Sequence, residues 1–331
     1  MMRLPRFRYL APRTVKDAAE VLADLGPEAA PLAGGTDLLP NMKRRQQTPG
    51  TVVGLRGIAE LQARSDSPAT GVTLGAMTRL STLERDRALA ETHPALTRAA
   101  ALVASPAIRN TATLGGNLCL DTRCTYYDQS EGWRESIGYC MKKSGETCWV
   151  APGSDRCYAV SSSDTAPVLC ALGAEVSLVS KAGERRIPAS ELFADDGACP
   201  LTRRPDEILT AVHLAPVEEG ERATYLKVRR RGSVDFPILG VAARVRVGQG
   251  GVVEAARIFL GAVGSRPQQA AAAAEFLVGR SLADEEVVRE VGRLAAQVAK
   301  PMQNADLTLG WRKQAAREYA TRALRELSRS A

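Results

Sequence analysis

Four of the seven cysteines lie in one short segment, residues 121–158, and are the side chains of this sequence best suited to chemistry. The same segment holds two of the three tryptophans and four of the seven tyrosines, whereas the rest of the chain is rich in aliphatic residues and alanine. Intervals of 15, 7 and 8 residues separate the four cysteines, which are Cys124, Cys140, Cys148 and Cys157. We expect a separate structural unit, fastened by these cysteines, inside a larger domain.

Such cysteines are compatible with two disulfides, a zinc site, an iron–sulfur cluster or simple burial. Disulfides need an oxidising compartment, and residues 1–20 contain no apolar run of signal-peptide length, so we expect reduced thiols and a cytoplasmic location. Zinc sites usually contain cysteines two to four residues apart, and none of these intervals is that short. A cluster accepts irregular loops, whereas burial as small apolar side chains suits a polar, turn-rich segment poorly. The spacing leaves a cluster and a zinc site open.

Two pairs of adjacent glycines are the second feature with chemical meaning. The first is Gly34-Gly35, followed by Thr36 and Asp37, and the second lies in TLGGN, residues 113–117. Paired glycines let backbone N–H groups turn toward an anion, and a neighbouring hydroxyl adds a donor. Neither loop has the G-x-G-x-x-G or the Walker pattern, which excludes Rossmann and P-loop sites. Together the two loops predict a dinucleotide site built on loops.

The hydrophobic pattern predicts alternating helices and strands up to about residue 220, then a sheet followed by helices. Thr14 is expected to cap a first helix that ends at Gly26-Pro27, and Ser163-Asp164 stands where the cap of another helix belongs. Strands are expected at 51–55, 72–74, 207–214, 225–228, 240–247 and 252–263. Helices are expected at 81–89, 95–103, 268–277, 284–299 and 309–327.

Composition and charge exclude several function classes. With 331 residues, 45% hydrophobic and 24% charged, the chain has the composition of a soluble globular protein of two or three domains. No apolar run reaches the length of a membrane span. The formal charge of +7 is scattered and aromatic residues make up only 5%, so nucleic-acid binding is not expected. With only two histidines, histidine-based catalysis and histidine metal sites are not expected either.

The motifs AGGTDLLP and ATLGGNL, with the strand that ends in YLKV, resemble the FAD-binding middle subunits of the xanthine oxidase and carbon monoxide dehydrogenase group of molybdenum hydroxylases. The resemblance extends over essentially the whole chain, from FRYLAPRT to the C-terminal helices with their GSRP turn. It implies an α+β fold, with a vanillyl-alcohol-oxidase (PCMH)-type FAD-binding domain in residues 1–220. A smaller α+β C-terminal domain is then expected in residues 221–331.

The resemblance also implies roles for single residues, none of them catalytic. The two glycine loops would hold the FAD pyrophosphate, and Asp164 would contact the sugar chain of the flavin. Leu209 and Lys227 would lie beside the isoalloxazine ring, and Val103 would cover the ring or the adenosine. Without the resemblance, Asp164 reads as a helix cap and Lys227 as a surface lysine on a strand. The loop residues assigned to FAD are Leu32, Ala33, Gly34, Gly35, Thr36, Asp37, Leu38, Thr113, Leu114, Gly115, Gly116 and Asn117.

The chain departs from the family pattern by about forty extra residues between Leu120 and Ser161. In this respect it is similar to the flavin subunits of the 4-hydroxybenzoyl-CoA reductases, in which the corresponding loop carries an additional [4Fe–4S] cluster. That resemblance implies that the four cysteines of residues 121–158 are the cluster ligands, within flanks such as DTRC and SDRC. Cys119, Cys170 and Cys199 receive no role.

The same resemblance implies electron transfer within a larger assembly. A low-potential donor such as ferredoxin would supply the [4Fe–4S] cluster, and electrons would continue through FAD to the [2Fe–2S] clusters of a small subunit. A large molybdopterin subunit would then remove a phenolic hydroxyl from an aromatic acyl-CoA, and a dimer of heterotrimers is expected. The alternative is the flavin subunit of an ordinary molybdenum hydroxylase that reduces NAD or a quinone, with residues 121–158 as a zinc-bound or structural loop.

Overall fold

A computed structural model describes residues 3–329 of the chain. Among these residues, no helix is long and apolar enough to cross a membrane. The strands form three sheets. They are β1 (Arg8–Leu10), β2 (Ala29–Leu32), β3 (Thr51–Gly54), β4 (Arg64–Ser67), β5 (Gly71–Gly75), β6 (Glu175–Ser180), β7 (Gly183–Pro188), β8 (Ile208–Leu214), β9 (Glu221–Val228), β10 (Leu239–Val247), β11 (Val253–Gly261) and β12 (Gln268–Gln269).

Twelve α-helices connect and cover these sheets within the described residues. They are α1 (Val15–Leu25), α2 (Leu38–Lys43), α3 (Leu80–Leu83), α4 (Arg87–Thr92), α5 (Pro94–Leu102), α6 (Pro106–Arg109), α7 (Leu114–Leu118), α8 (Glu131–Ser136), α9 (Thr165–Leu172), α10 (Ala271–Leu277), α11 (Glu285–Ala295) and α12 (Leu309–Arg329). Most expected helices are present, but the one expected at 81–89 is two short helices, α3 and α4. The helix expected from 268 begins at Ala271, after the short strand β12.

A parallel sheet of order β1-β3-β2 opens the fold. The predicted cap of α1 is confirmed, because Thr14 Oγ1 accepts the Asp17 amide at 3.0 Å. Leu22 lies on the apolar face of that helix and is fully buried. The strand β2 delivers the chain to the first glycine loop, and α2 follows that loop directly. The loop is therefore held between a paired strand and a helix.

An antiparallel sheet of order β4-β5-β8-β6-β7 follows, with strands of different lengths. Its end near β5 positions the second glycine loop, because the Ala76 amide donates to Thr210 and the Ala76 carbonyl accepts from Gly115, each at 2.8 Å. The main hydrophobic core lies between this sheet, α5 and α9. This anchoring fixes α7, which contains the second loop, against the sheet.

The third sheet has the order β12-β11-β10-β9 and is antiparallel. Because side chains alternate along a strand, Tyr225 and Ala242 belong to the core shared with α5 and α9, whereas Leu226 and Val241 belong to a second core with α10, α11 and α12. Lys227 lies two residues after Tyr225 on the same face of the sheet, and both side chains contact Asp164 at the start of α9.

Residues 121–158 form a small unit with one short helix, α8, and otherwise turns. Its two ends are joined where Arg123 and Val160 exchange backbone hydrogen bonds of 2.9 and 2.7 Å. The unit has a core of its own, in which Tyr127 and Ala159 are buried among the cysteines. The expectation that burial suits these cysteines poorly is therefore wrong, since Cys124, Cys140 and Cys157 make up most of this core.

Candidate functional site

The two glycine loops adjoin one another. A Cβ atom on Gly34 would lie 2.1 Å from the carbonyl oxygen of Thr111, so only glycine lets the first loop pack against the backbone that leads into the second. From the other side, the Cβ position of Gly116 is 3.6 Å from Cβ of Ala33. The two loops therefore pack against each other, as a dinucleotide site shared by both would require.

The first loop carries the free donors. Among the described residues, the backbone amides of residues 34–38 donate no hydrogen bond. In the second loop the amides of Gly115 and Gly116 are already used, by the Ala76 carbonyl at 2.8 Å and by Thr113 Oγ1 at 3.1 Å. Successive unpaired amides form the kind of concave site that binds phosphate oxygens. The geometry therefore fits a pyrophosphate held by the first loop and supported by the second.

Asn117 ties the second loop to the start of α9. Its Oδ1 atom accepts from Ser163 Oγ at 2.8 Å, from the Thr165 amide at 3.2 Å and from Thr165 Oγ1 at 2.7 Å. Ser163 Oγ also accepts the Ala166 amide at 3.1 Å. The cap of α9 is therefore made by Ser163 and Asn117, whereas the Asp164 side chain makes no cap hydrogen bond.

Asp164 instead forms a buried ion pair. Its carboxylate accepts from Lys227 Nζ at 2.8 Å and from Tyr225 Oη at 2.7 Å, and the Asp164 and Lys227 side chains are 3% and 1% exposed. Lys227 Nζ also donates to the Leu102 carbonyl at 2.9 Å. The alternatives of a helix cap and a surface lysine are both wrong. Burial raises the pKa of the Asp164 carboxyl and lowers the pKa of the Lys227 ammonium, while their mutual attraction opposes both shifts.

The two remaining flavin candidates lie close to these elements. Val103 is the C-cap of α5 and directly follows Leu102, so it adjoins the Lys227 ammonium. Leu209 lies on β8, one residue before Thr210, which anchors the second loop through Ala76. Both side chains are buried in the main core in this structure. The contact of either side chain with a flavin therefore stays a prediction.

All four cysteines of residues 121–158 line a single cavity. Each is a free thiol and each is buried, with exposures of 4–7%. Tyr127 and Ala159 contribute to the lining, as do Lys142 and Trp149. Four cysteines with 15, 7 and 8 residues between them have therefore been brought together by turns and the short helix α8.

The surroundings of the cavity suit an anionic group. The backbone amides of Tyr126 and Tyr127 favour the thiolate form of Cys124 and so lower its pKa against the effect of burial, and the Ala159 amide donates to Cys157 Sγ at 3.4 Å. The Lys142 side chain is 4% exposed, with its ammonium group held by the Asp121 carboxylate at 2.7 Å and the Gly197 carbonyl at 2.6 Å. Backbone donors and a buried cation around cysteine sulfurs are the outer-sphere groups that tune iron–sulfur sites.

Burial opposes the ionisation of two of the four thiols. Burial raises the pKa of Cys124 to about 11 and the pKa of Cys157 to about 12, so both are protonated at neutral pH without a metal. Within residues 3–329, no three His, Cys, Asp or Glu side chains are arranged to hold one metal ion. Zinc requires its four ligands around a single point, whereas a four-iron cluster receives each thiolate at a different iron atom. Four thiols on one cavity match the number of ligands that a four-iron cluster takes.

Several residues of the site were not found by sequence reasoning. Tyr225 could have been found, because it shares a strand face with Lys227 two positions away. Arg123 and Lys142 are ordinary basic residues in a segment of mixed charge, and nothing in their spacing indicates their buried partners. Their roles depend on contacts with Asp37 and Gly197, far away in the sequence.

Comparison with known families identifies the class of protein to which this chain belongs. Residues 5–216 match the FAD-binding domain in molybdopterin dehydrogenase, and residues 223–327 match the C-terminal domain of the CO dehydrogenase flavoprotein. The chain belongs to this family of molybdopterin-dehydrogenase flavoproteins, and it contains their FAD-binding domain. The resemblance to the wider molybdenum hydroxylase group is thus confirmed.

Individual relatives extend over most of the chain. The carbon monoxide dehydrogenase medium chain of Afipia carboxidovorans is 28% identical over 295 residues, which are 89% of this chain and 87% of the relative. The aldehyde oxidoreductase FAD-binding subunit PaoB of Escherichia coli K12 is 31% identical over 283 residues, 81% of this chain and 84% of the relative. A crystal structure of Cu,Mo-CO dehydrogenase aligns with a TM-score of 0.82 and 27% identity, covering 100% of both chains.

The first loop supplies a test of FAD binding. In Gly34→Ala the new methyl group would overlap the Thr111 carbonyl and displace the loop from the second one. We expect the FAD dissociation constant, measured by flavin fluorescence, to rise at least about tenfold, a loss of about 1.4 kcal/mol. Gly132→Ala is the matched control, because its Cβ has open space in α8, and it should leave the constant unchanged. Equal constants for both variants would contradict the assignment of the first loop.

The buried pair supplies a test of stability. Lys227→Ala leaves the Asp164 carboxylate buried without its cation, which should cost about 3–5 kcal/mol of unfolding free energy near neutral pH in urea titrations. The folded variant should then bind a proton at Asp164 that the unfolded chain does not bind. The loss should therefore shrink as the pH falls from about 8 to about 5. Lys181→Ala, which removes an exposed pair with Asp24, should have a far smaller effect at either pH.

Proposed function

We propose that this chain is the FAD and [4Fe–4S] electron-transfer subunit of a molybdenum-dependent complex of the 4-hydroxybenzoyl-CoA reductase type. It would accept electrons from a low-potential, ferredoxin-like donor. It would deliver them to a small subunit with two [2Fe–2S] clusters and a large molybdopterin subunit, for the reductive dehydroxylation of an aromatic acyl-CoA. The observation that carries the proposal is the convergence of four buried cysteines on one cavity, inside an insertion that directly contacts the first glycine loop.

In this proposal the chain's own residues bind and orient the two groups. Residues 32–38 and 113–117 would hold the FAD pyrophosphate, and Asp164 would contact the sugar chain while remaining paired with Lys227. Val103, Leu209 and Lys227 would border the isoalloxazine ring. The four cysteines would bind the cluster, shielded from water by Tyr127 and the other lining residues. When bound, a cluster transfers single electrons and FAD stores two, which suits a chain between one-electron carriers.

A second function is favoured by the names of the relatives. They include a carbon monoxide dehydrogenase medium chain, an aldehyde oxidoreductase subunit and a nicotinate dehydrogenase FAD subunit. On that basis the chain would be the flavin subunit of an ordinary molybdenum hydroxylase that passes electrons from a substrate to NAD or a quinone. The unit of residues 121–158 would then be structural or bind zinc.

Substitution of the cysteines distinguishes these functions. In protein purified without oxygen, Cys124→Ser or Cys140→Ser should abolish the electron paramagnetic resonance signal of the reduced [4Fe–4S] cluster, because a ligand is lost, while FAD stays bound. Cys199→Ser is the control, since Cys199 is exposed and lies outside the cavity, and it should retain the signal. A four-iron signal that persists in both ligand variants would exclude the proposed ligand set.

A further inference from the structure

The Asp37 carboxylate at the end of the first glycine loop is turned away from its own helix. Asp37 occupies the N-cap position of α2 but makes no side-chain cap hydrogen bond there. Its Oδ2 atom accepts the Asp121 amide at 3.1 Å, and its Oδ1 atom pairs with the guanidinium group of Arg123. The Asp37 and Arg123 side chains are only 19% and 16% exposed. The loop is therefore bound to the first residues of the insertion.

Arg123 directly precedes Cys124 and contacts three parts of the chain. Its guanidinium group pairs with Asp37, lies 3.7 Å from the Asp128 carboxylate and stacks over the Phe236 ring at 4.2 Å. Its backbone closes the base of the insertion through Val160. Because Arg123 is held at all these points and packed interiors are rigid, a displacement of Cys124 would be passed on to Asp37, and the reverse.

We propose that Arg123 is a positioning residue that couples the flavin loop to the cysteine cavity, so that occupancy of one site stabilises the other. This inference rests on the proposed function, because it requires both groups to bind. When Cys124 is held in place by a cluster, the neighbouring Arg123 keeps its position. Arg123 then keeps Asp37 and the amides of residues 34–38 oriented toward the pyrophosphate. Without a cluster, the segment that carries Arg123 loses that restraint.

The coupling is measured by a double-mutant cycle on FAD binding. The FAD dissociation constant is determined by fluorescence for the wild type, Cys140→Ser, Arg123→Gln and the double variant. Removal of the cluster in the Arg123 background should weaken FAD binding at least about fivefold, a typical coupling between linked sites. In the Arg123→Gln background, the ratio of the FAD dissociation constants without and with the cluster should fall to near one. Arg123→Lys, which keeps the charge, should restore part of the ratio, which a purely structural role would not do.

The chain offers a matched control on the opposite side of the cavity. Arg156 directly precedes Cys157 and pairs with Asp195 at 2.5 Å, so it repeats the local chemistry without contacting the glycine loop. Arg156→Gln should therefore preserve the fivefold ratio. Two results would overturn this inference alone. One is the same ratio of FAD dissociation constants in the Arg123→Gln background as in the wild type. The other is equal dissociation constants for Cys140→Ser and for wild type that contains the cluster. Wild-type protein without iron or sulfide would overturn the proposed function as well, so the two failures are distinguishable.

Discussion

Two largely buried carboxylates, Asp37 and Asp164, organise the site, because a charge removed from water needs a partner. Each stands beside one of the glycine loops, and each finds its partner in another part of the chain. Asp164 pairs with Lys227 of the third sheet, and Asp37 pairs with Arg123 of the insertion. The ion pairs therefore fix how the loops, the C-terminal sheet and the cysteine unit lie against one another, and the cost of breaking them is large.

Much of the fold follows from local rules that can be read in the sequence. The Thr14 cap and the helix that begins at Thr165 depend on neighbouring residues, and both were predicted correctly. The two glycine loops predicted a dinucleotide site, whereas the family resemblance predicted FAD. The break between α3 and α4 was missed, although Asp86 caps α4 locally by accepting the Leu89 amide at 3.0 Å.

The contacts of the charged residues could not be predicted in the same way. Asp164 has the sequence context of a helix cap, yet Asn117 and Ser163 satisfy the helix end and release the carboxylate for Lys227. The cysteines posed the opposite problem, since their spacing alone left zinc and a cluster open. The structure adds that all four line one cavity, which is the arrangement that the proposed cluster requires, because each iron atom takes one thiolate.

The central claim is that the cysteine unit holds an iron–sulfur cluster beside a bound flavin. Chemical analysis of iron, acid-labile sulfide, zinc and FAD in wild-type protein prepared under strict anaerobic conditions tests it most directly. The account predicts about four iron atoms and about four sulfides for each FAD, with no stoichiometric zinc. Protein that contains FAD with one zinc ion, or FAD with only traces of iron, would contradict it.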